Sequence, residues 1–285
     1  MHFKLACADF AFPLLSHDDA LDLIRRLGVT GVDVGVFPRG THFGPAQYLE
    51  DPQGGARKLS ELARRHDLEL ADIFLQSGPD LQSLAENHPD PQQRQQSRDV
   101  FLRTLELAVH CNAKHMTSLP GITWPADPPG DSLARSADEL AWRAEQARSA
   151  GVVYAVEPHM WSVAPTPEAA LRLVELAPGL TITLDCGHYV AQGFADEQIK
   201  PLVPHASHVH ARAACPGLLQ TSLAKNTIDF GSLLRSLAEA DYRGWIGIEY
   251  VRLSGVAVAP EVDNLAETIL MRKLLEQESS AIHGP

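Results

Sequence analysis

Apolar residues recur along this chain in two alternating rhythms: short, nearly continuous runs, and longer stretches with polar residues between them. The first run, Phe3 to Phe10, reads as a buried strand. An amphipathic stretch from about Asp18 to Leu27 follows, with Ser16 or Asp18 as its cap and Gly28 as its stop, which predicts a helix. Gly31 to Val36 (G-V-D-V-G-V) is a second strand; Asp33 alternates with valines there, so it either turns inward or is solvated at the strand end. The pattern then predicts a helix over Pro52–His66 and a strand over Leu68–Leu75. The polar segment Asp80–Gln96 reads in its first half as a loop and in its second as the start of a helix running to Cys111. Lys114–Leu119 is a fourth strand, Pro120–Asp131 a Pro/Gly-rich loop carrying Trp124, and Asp131–Ala150 a helix. A fifth strand opens at Val152. Further helices are expected at Thr166–Leu176, Asp196–Leu202, Phe230–Ala240 and Val262–Glu276, leaving 277–285 as a frayed tail.

Strand and helix alternate eight times, at intervals of roughly thirty to forty residues, which implies a parallel sheet closed into a single (β/α)8 TIM barrel. No low-complexity linker divides residues 1–285, so one domain is expected. An open, doubly wound sheet would place a Gly-rich phosphate loop after the first strand, where Cys7-Ala8-Asp9-Phe10 stands instead.

Composition narrows the function. The 285 residues are 45% hydrophobic, enough for a full core, and carry a net charge of −12, the wrong sign for a nucleic-acid partner. No secretory leader and no membrane span is evident, and the four cysteines lack C-x-x-C spacing, so a reducing cytoplasm is the expected setting. A small molecule is the expected partner, with a homo-oligomer suggested by analogy among barrels.

Four strands in the second half end in residues that are poor packing material. Val152–His159 (V-V-Y-A-V-E-P-H) delivers Glu157, and Leu180–His188 (L-T-I-T-L-D-C-G-H) delivers Asp185. Ala206–Arg212 (A-S-H-V-H-A-R) delivers His210, and Trp245–Val251 (W-I-G-I-E-Y-V) delivers Glu249. A buried unpaired carboxylate is costly, so such ends need a cation. Neighbouring strands lie about 4.8 Å apart, close enough for all four to converge on one ion. Three carboxylates and an imidazole form an oxygen-rich site suited to one divalent metal ion, Mn2+ first, then Mg2+, Co2+ or Zn2+. His208 faces the same way one layer deeper and reads as a supporting histidine rather than a ligand. His159 and Arg212 each lie two residues beyond a candidate ligand, pointing to the same side and higher at the mouth, where either could bind substrate. Trp124 and Phe43 could wall a sugar ring or simply pack loops down.

E-P-H, L-D-x-G-H, H-V-H and G-I-E-Y, in that order, resemble the xylose-isomerase-like barrel superfamily. This group includes the sugar phosphate isomerases/epimerases, ketose 3-epimerases, hydroxypyruvate and inosose enzymes, and an apurinic endonuclease branch. The resemblance implies a divalent metal on Glu157, Asp185, His210 and Glu249, and substrate contact by His188. In its epimerases the residues matching Glu157 and Glu249 also exchange the substrate proton. The implied activity is a metal-dependent isomerase or epimerase of a small sugar derivative working through a stabilised enediolate. A lyase or dehydratase acting on a keto-sugar, keto-glycoside or inosose would use the same chemistry. A zinc endonuclease would need further ligands, for which Asp72 and His115 are the available residues, and a barrel that only binds a ligand is the remaining alternative. Ala211-Arg212-Ala213-Ala214 departs from the family, whose ketose epimerases place an acidic residue soon after the strand-seven histidine; an Arg there favours an acidic or keto-glycoside substrate.

Overall fold

A computed structural model describes residues 3–252, 259 and 262–283. Eight strands pair in sequence order and close on themselves: β1 (Lys4–Ala8), β2 (Gly31–Val36), β3 (Glu69–Leu75), β4 (His115–Ser118), β5 (Val153–Val156), β6 (Thr181–Asp185), β7 (Ala206–Ala211) and β8 (Trp245–Ile248). Every pairing is parallel, including the closing one, where Lys4 to Cys7 of β1 lie opposite Trp245 to Ile248 of β8. The (β/α)8 barrel is therefore the fold.

Around it run α1 (His17–Arg26), α2 (Pro52–Arg65), α3 (Pro91–His110), α4 (Asp131–Ser149), α5 (Pro167–Leu176), α6 (Cys186–Val190), α7 (Asp196–Ile199), α8 (Phe230–Glu239) and α9 (Asn264–His283). Their starts are written locally. Ser16 accepts a hydrogen bond from Asp19 N and caps α1, while Asp51, Asp90 and Thr166 cap helices whose first residue is proline. Proline at that position gives up a backbone N–H that would have no partner in any case.

Several boundaries differ from the sequence expectation; the first strand, expected to reach Phe10, ends at Ala8 before a 3-10 turn over Asp9–Ala11. The helix expected over Asp196–Leu202 is α-helical only to Ile199 and continues as a tighter 3-10 turn over Lys200–His205, because Pro201 and Pro204 cannot supply the α-helical N–H. A short extra helix, α6, begins directly after β6, since Asp185 accepts from Gly187 N and so acts as its cap. The tail expected to fray from residue 277 is helical to His283, held by a buried Ser279 and by Ile282 packed on the core. Among the described residues no helix is long and apolar enough to cross a membrane.

The apolar core lies between sheet and helices, built on Val32, Val34, Ile73, Met116, Ile182, Leu184, Val209 and Ile246. The barrel lumen is a different medium. Thr117 and Thr183 share a 2.7 Å hydrogen bond across it, His115 pairs with Asp72 at 2.7 Å, and His208 lies 3.1 Å from Asp33. Alternation along β7 separates the two worlds: Val209 and Ala211 join the apolar core while His208 and His210 go inside.

Candidate active site at the carboxyl ends of the strands

Each candidate is set by its strand. Glu157 directly follows β5, and its backbone N–H continues the ladder to Ser118 O. Asp185 ends β6, and the Gly187 N–H at 2.7 Å holds its Oδ1. A Cβ at Gly187 would lie 2.9 Å from that same oxygen, which explains the glycine of D-C-G-H. His210 sits one residue before the end of β7, and Glu249 directly follows β8 with its N–H bonded to Ala211 O. The next two residues are clamped: Ala213 N donates to Tyr250 OH, and Gln220 pairs with both backbone groups of Val251.

The side chains converge as their spacing predicted. His210 Nδ1 lies 2.6 Å from Glu157 Oε1 and 3.4 Å from Glu249 Oε2. Arg212 Nε donates to Asp185 Oδ2 at 2.9 Å, its Nη2 contacts the same oxygen, and Nη2 lies 3.0 Å from Glu249 Oε2. His188 Nε2 is 3.8 Å from Asp185 Oδ2 and 3.4 Å from Arg212 Nη2. All six are buried. Arg212 is thus not at the height its sequence position suggests, because its long side chain folds back onto the carboxylates. His159 lies at the mouth with its ring 5.7 Å from that of His188, and its buried Nε2 has no partner.

Burial raises the cost of charge throughout this cluster, and the neighbours decide each outcome. Burial would lift Glu157, but the His210 cation beside it prevails and holds the carboxyl below its usual range. Burial would likewise depress His210, but Glu249 and Glu157 raise it to about 10. Glu249 goes the other way: burial lifts its carboxyl, and Arg212 and His210 only partly offset this. Burial and the neighbouring His188 push His159 down to about 3, so that ring is neutral.

Three sets of three groups among the described residues, Glu157–His210–Glu249, Glu157–Asp185–His188 and, one layer deeper, Asp33–His208–His210, have ligand atoms within 4.8 Å of one another and could each hold a metal ion. The donors suit a divalent ion: three carboxylates and an imidazole, with a buried Glu249 Oε2 met by Arg212 and His210 in ion pairs. Beneath them, His210 Nε2 lies 3.9 Å from Asp33 Oδ2, placing a buried carboxylate behind the imidazole. Asp33 therefore turns inward.

Several residues in the neighbourhood escaped sequence reasoning. Phe10, Phe37 and Phe74 form a cluster with ring centroids 5.1–6.1 Å apart, and Phe74 reaches within 5.5 Å of the His210 ring. Trp161, 47% exposed, stands 6.1 Å from both His159 and His188. Trp124 and Phe43 instead fasten loops: Trp124 Nε1 donates to Asn87 Oδ1, and Phe43 is buried against Tyr48. Asp72 and His115 satisfy each other deep in the lumen, His115 also meeting Ser207, and they add no ligand to the cluster. A cavity of about 960 Å3 opens at the opposite, amino-terminal end of the barrel, lined by Lys4, Glu69, Lys114 and Trp245 among others. Its size does not make it the site, since the convergent carboxylates are at the other end.

No curated protein matches the chain in sequence. Among solved structures it resembles an L-ribulose 3-epimerase, with 18% identity, 99% of this chain and 96% of the other covered, and a TM-score of 0.75. A D-tagatose 3-epimerase-like protein gives 19% identity, 98% coverage of both chains and a TM-score of 0.75. A xylose isomerase-like TIM barrel protein from Mycobacterium smegmatis in complex with magnesium gives 13%, 99% and 98%, and 0.74. At such identities these likenesses speak for the fold. The family model for the xylose isomerase-like TIM barrel matches residues 21–274, nearly the whole length, and the chain belongs to that family.

Proposed function

We propose that the protein is a divalent-metal-dependent epimerase or isomerase of a small sugar or sugar derivative. The observation that carries this reading is the meeting of Glu157 and Glu249, from β5 and β8, at one imidazole, with Asp185 beside them. The names of the solved relatives, two of them 3-epimerases or similar to one, point the same way. Glu157, Asp185, His210 and Glu249 would hold the ion, which supplies Lewis acidity toward a carbonyl and its neighbouring hydroxyl. The native ion is proposed to be Mn2+, with Mg2+ next.

The chain's own residues divide the proton work. Glu157, reaching the site from the end of β5, is the base that takes a proton from the carbon beside the carbonyl. Glu249, reaching the site from the end of β8, is the group that returns a proton. Two carboxyls from different strands give delivery to the opposite face of the same carbon, hence epimerisation; delivery by a single group to the neighbouring, former carbonyl carbon gives isomerisation. His188 and His159, both neutral, offer hydrogen bonds to substrate oxygens, and the Phe10–Phe37–Phe74 cluster limits water at the reacting end.

The test is solvent-deuterium incorporation into a panel of ketoses and keto-sugars, with Mn2+ present, for the wild type and Glu249→Gln. The wild type should label one carbon-bound position, and the variant should lose on the order of a hundredfold or more in rate while keeping its circular dichroism. A variant that labels at the wild-type rate removes Glu249 from the chemistry.

A further inference from the structure

We infer that Arg212 is the resident counter-cation of this centre, and that metal uptake is an exchange in which the ion displaces its guanidinium from Asp185 and Glu249. This rests on the metal-dependent reading above. It concerns this chain's own arginine, in the stretch where the sequence departs from the family it resembles.

The argument is one of competing claims on two oxygen atoms. Asp185 Oδ1 is committed to the Gly187 N–H, so Oδ2 is the atom left for a ligand, and Arg212 Nε and Nη2 both contact it. Glu249 Oε2 points at His210 and at the same Nη2, 3.0 Å away. An ion shared by these carboxylates must come within about 2.0–2.2 Å of an oxygen of each. One nitrogen already occupies the space between Asp185 Oδ2 and Glu249 Oε2, so an ion entering there requires the guanidinium to withdraw.

Arg212 is only 3% exposed, and its attachment is specific. It leaves β7 between Ala211 and Ala213, both buried, so no bulky neighbour competes with its side chain for the interior. Without the guanidinium, Asp185 and Glu249 would be two buried carboxylates with only His210 facing the second, which costs stability unless one takes up a proton. The arginine thus lets the barrel fold with its acidic cluster intact before any ion arrives. It also sets the affinity for the ion, because each binding event must first break a buried ion pair. A guanidinium left near a divalent ion adds repulsion to that cost.

Arg212→Ala and Arg212→Met remove the charge, the second keeping most of the stem's volume. Each is produced with Mn2+ present, stripped with a chelator, and titrated with Mn2+ by calorimetry beside the wild type. Melting temperature is followed with and without the ion. Both variants should bind Mn2+ on the order of tenfold more tightly or better than the wild type, melt lower when stripped, and gain more on adding Mn2+. A variant that folds only in the presence of Mn2+ supports the exchange. Binding by the variants alone overturns it together with the metal-dependent reading, because the ion would then fail to displace the guanidinium in the wild type. Equal or weaker binding by the variants, with the wild type binding Mn2+, overturns the exchange and leaves the metal reading standing. Failure of both variants to fold in saturating Mn2+ overturns it too, because the arginine would then be required beside the ion. No binding by any of the three overturns both readings.

Discussion

Glu86 lies in the connection between β3 and α3 and is 4% exposed. Burial lifts its carboxyl to about 7, with Arg143 pulling it down less strongly and Glu139 adding to the rise. The same group in the unfolded chain ionises near 4.5. Between those values the native state keeps a proton that the unfolded state has lost, so stability falls as pH rises through the window. At 1.36 kcal/mol per factor of ten, the full penalty above the window is about 3 kcal/mol. Glu86→Gln keeps the shape of the protonated acid and cannot ionise. Urea denaturation followed by circular dichroism should place wild type and variant within about 1 kcal/mol of each other near pH 5. Near pH 8 the variant should be more stable, by up to about 3 kcal/mol. All other titrating groups are common to both proteins and cancel in the difference. A difference that stays constant from pH 5 to pH 8, or a variant that is the weaker at pH 8, would refute the reasoning.

Two more outcomes follow from the site and its support. His210, raised to about 10, lends the metal-free protein stability that is complete below its unfolded value of 6.5 and is lost as pH rises through 10. A metal ligand must give up that proton, so Mn2+ affinity measured by calorimetry should rise on the order of a hundredfold between about pH 6 and pH 8; a flat profile would remove His210 from the ligand set. A Cβ at Gly247 would lie 1.8 Å from Asp33 Oδ2, so Gly247→Ala must push that carboxylate off His208. It should cost about 1–3 kcal/mol by thermal denaturation, and an unchanged melting temperature would mean that Asp33 is free to move.

The barrel was legible because apolar runs and amphipathic stretches alternate cleanly, and the centre was legible because its residues end consecutive strands. Glu157, Asp185, His210 and Glu249 need only strand order to be brought together. What could not be read depends on side-chain reach or on contacts distant in sequence. Arg212 has a strand-end position that says which way it leaves the backbone, but not that it folds back onto Asp185. Asp33 needed its partner His208, 175 residues away, to reveal that it turns inward. The Phe10–Phe37–Phe74 cluster joins three different strands and loops, with no local pattern to mark it. Residues 253–258, in the segment after β8, lie outside the described residues.

The polar lumen has a consequence for how the chain finds its fold. Asp33, Asp72, His208 and His210 all face inward, while Val32, Val34, Ile73, Val209 and Ala211 beside them join the apolar core. Shifting any of these strands by one residue against its neighbour would turn its ionisable groups into the apolar layer and its apolar residues into the lumen. An all-apolar barrel would tolerate such a slip, since either face could be buried on either side. Here a misaligned strand strands a charge with no partner, at a cost of several kcal/mol. The groups that line the lumen therefore act as a proofreading device for strand alignment, and only the correctly threaded barrel brings its carboxylates and histidines within reach of one another.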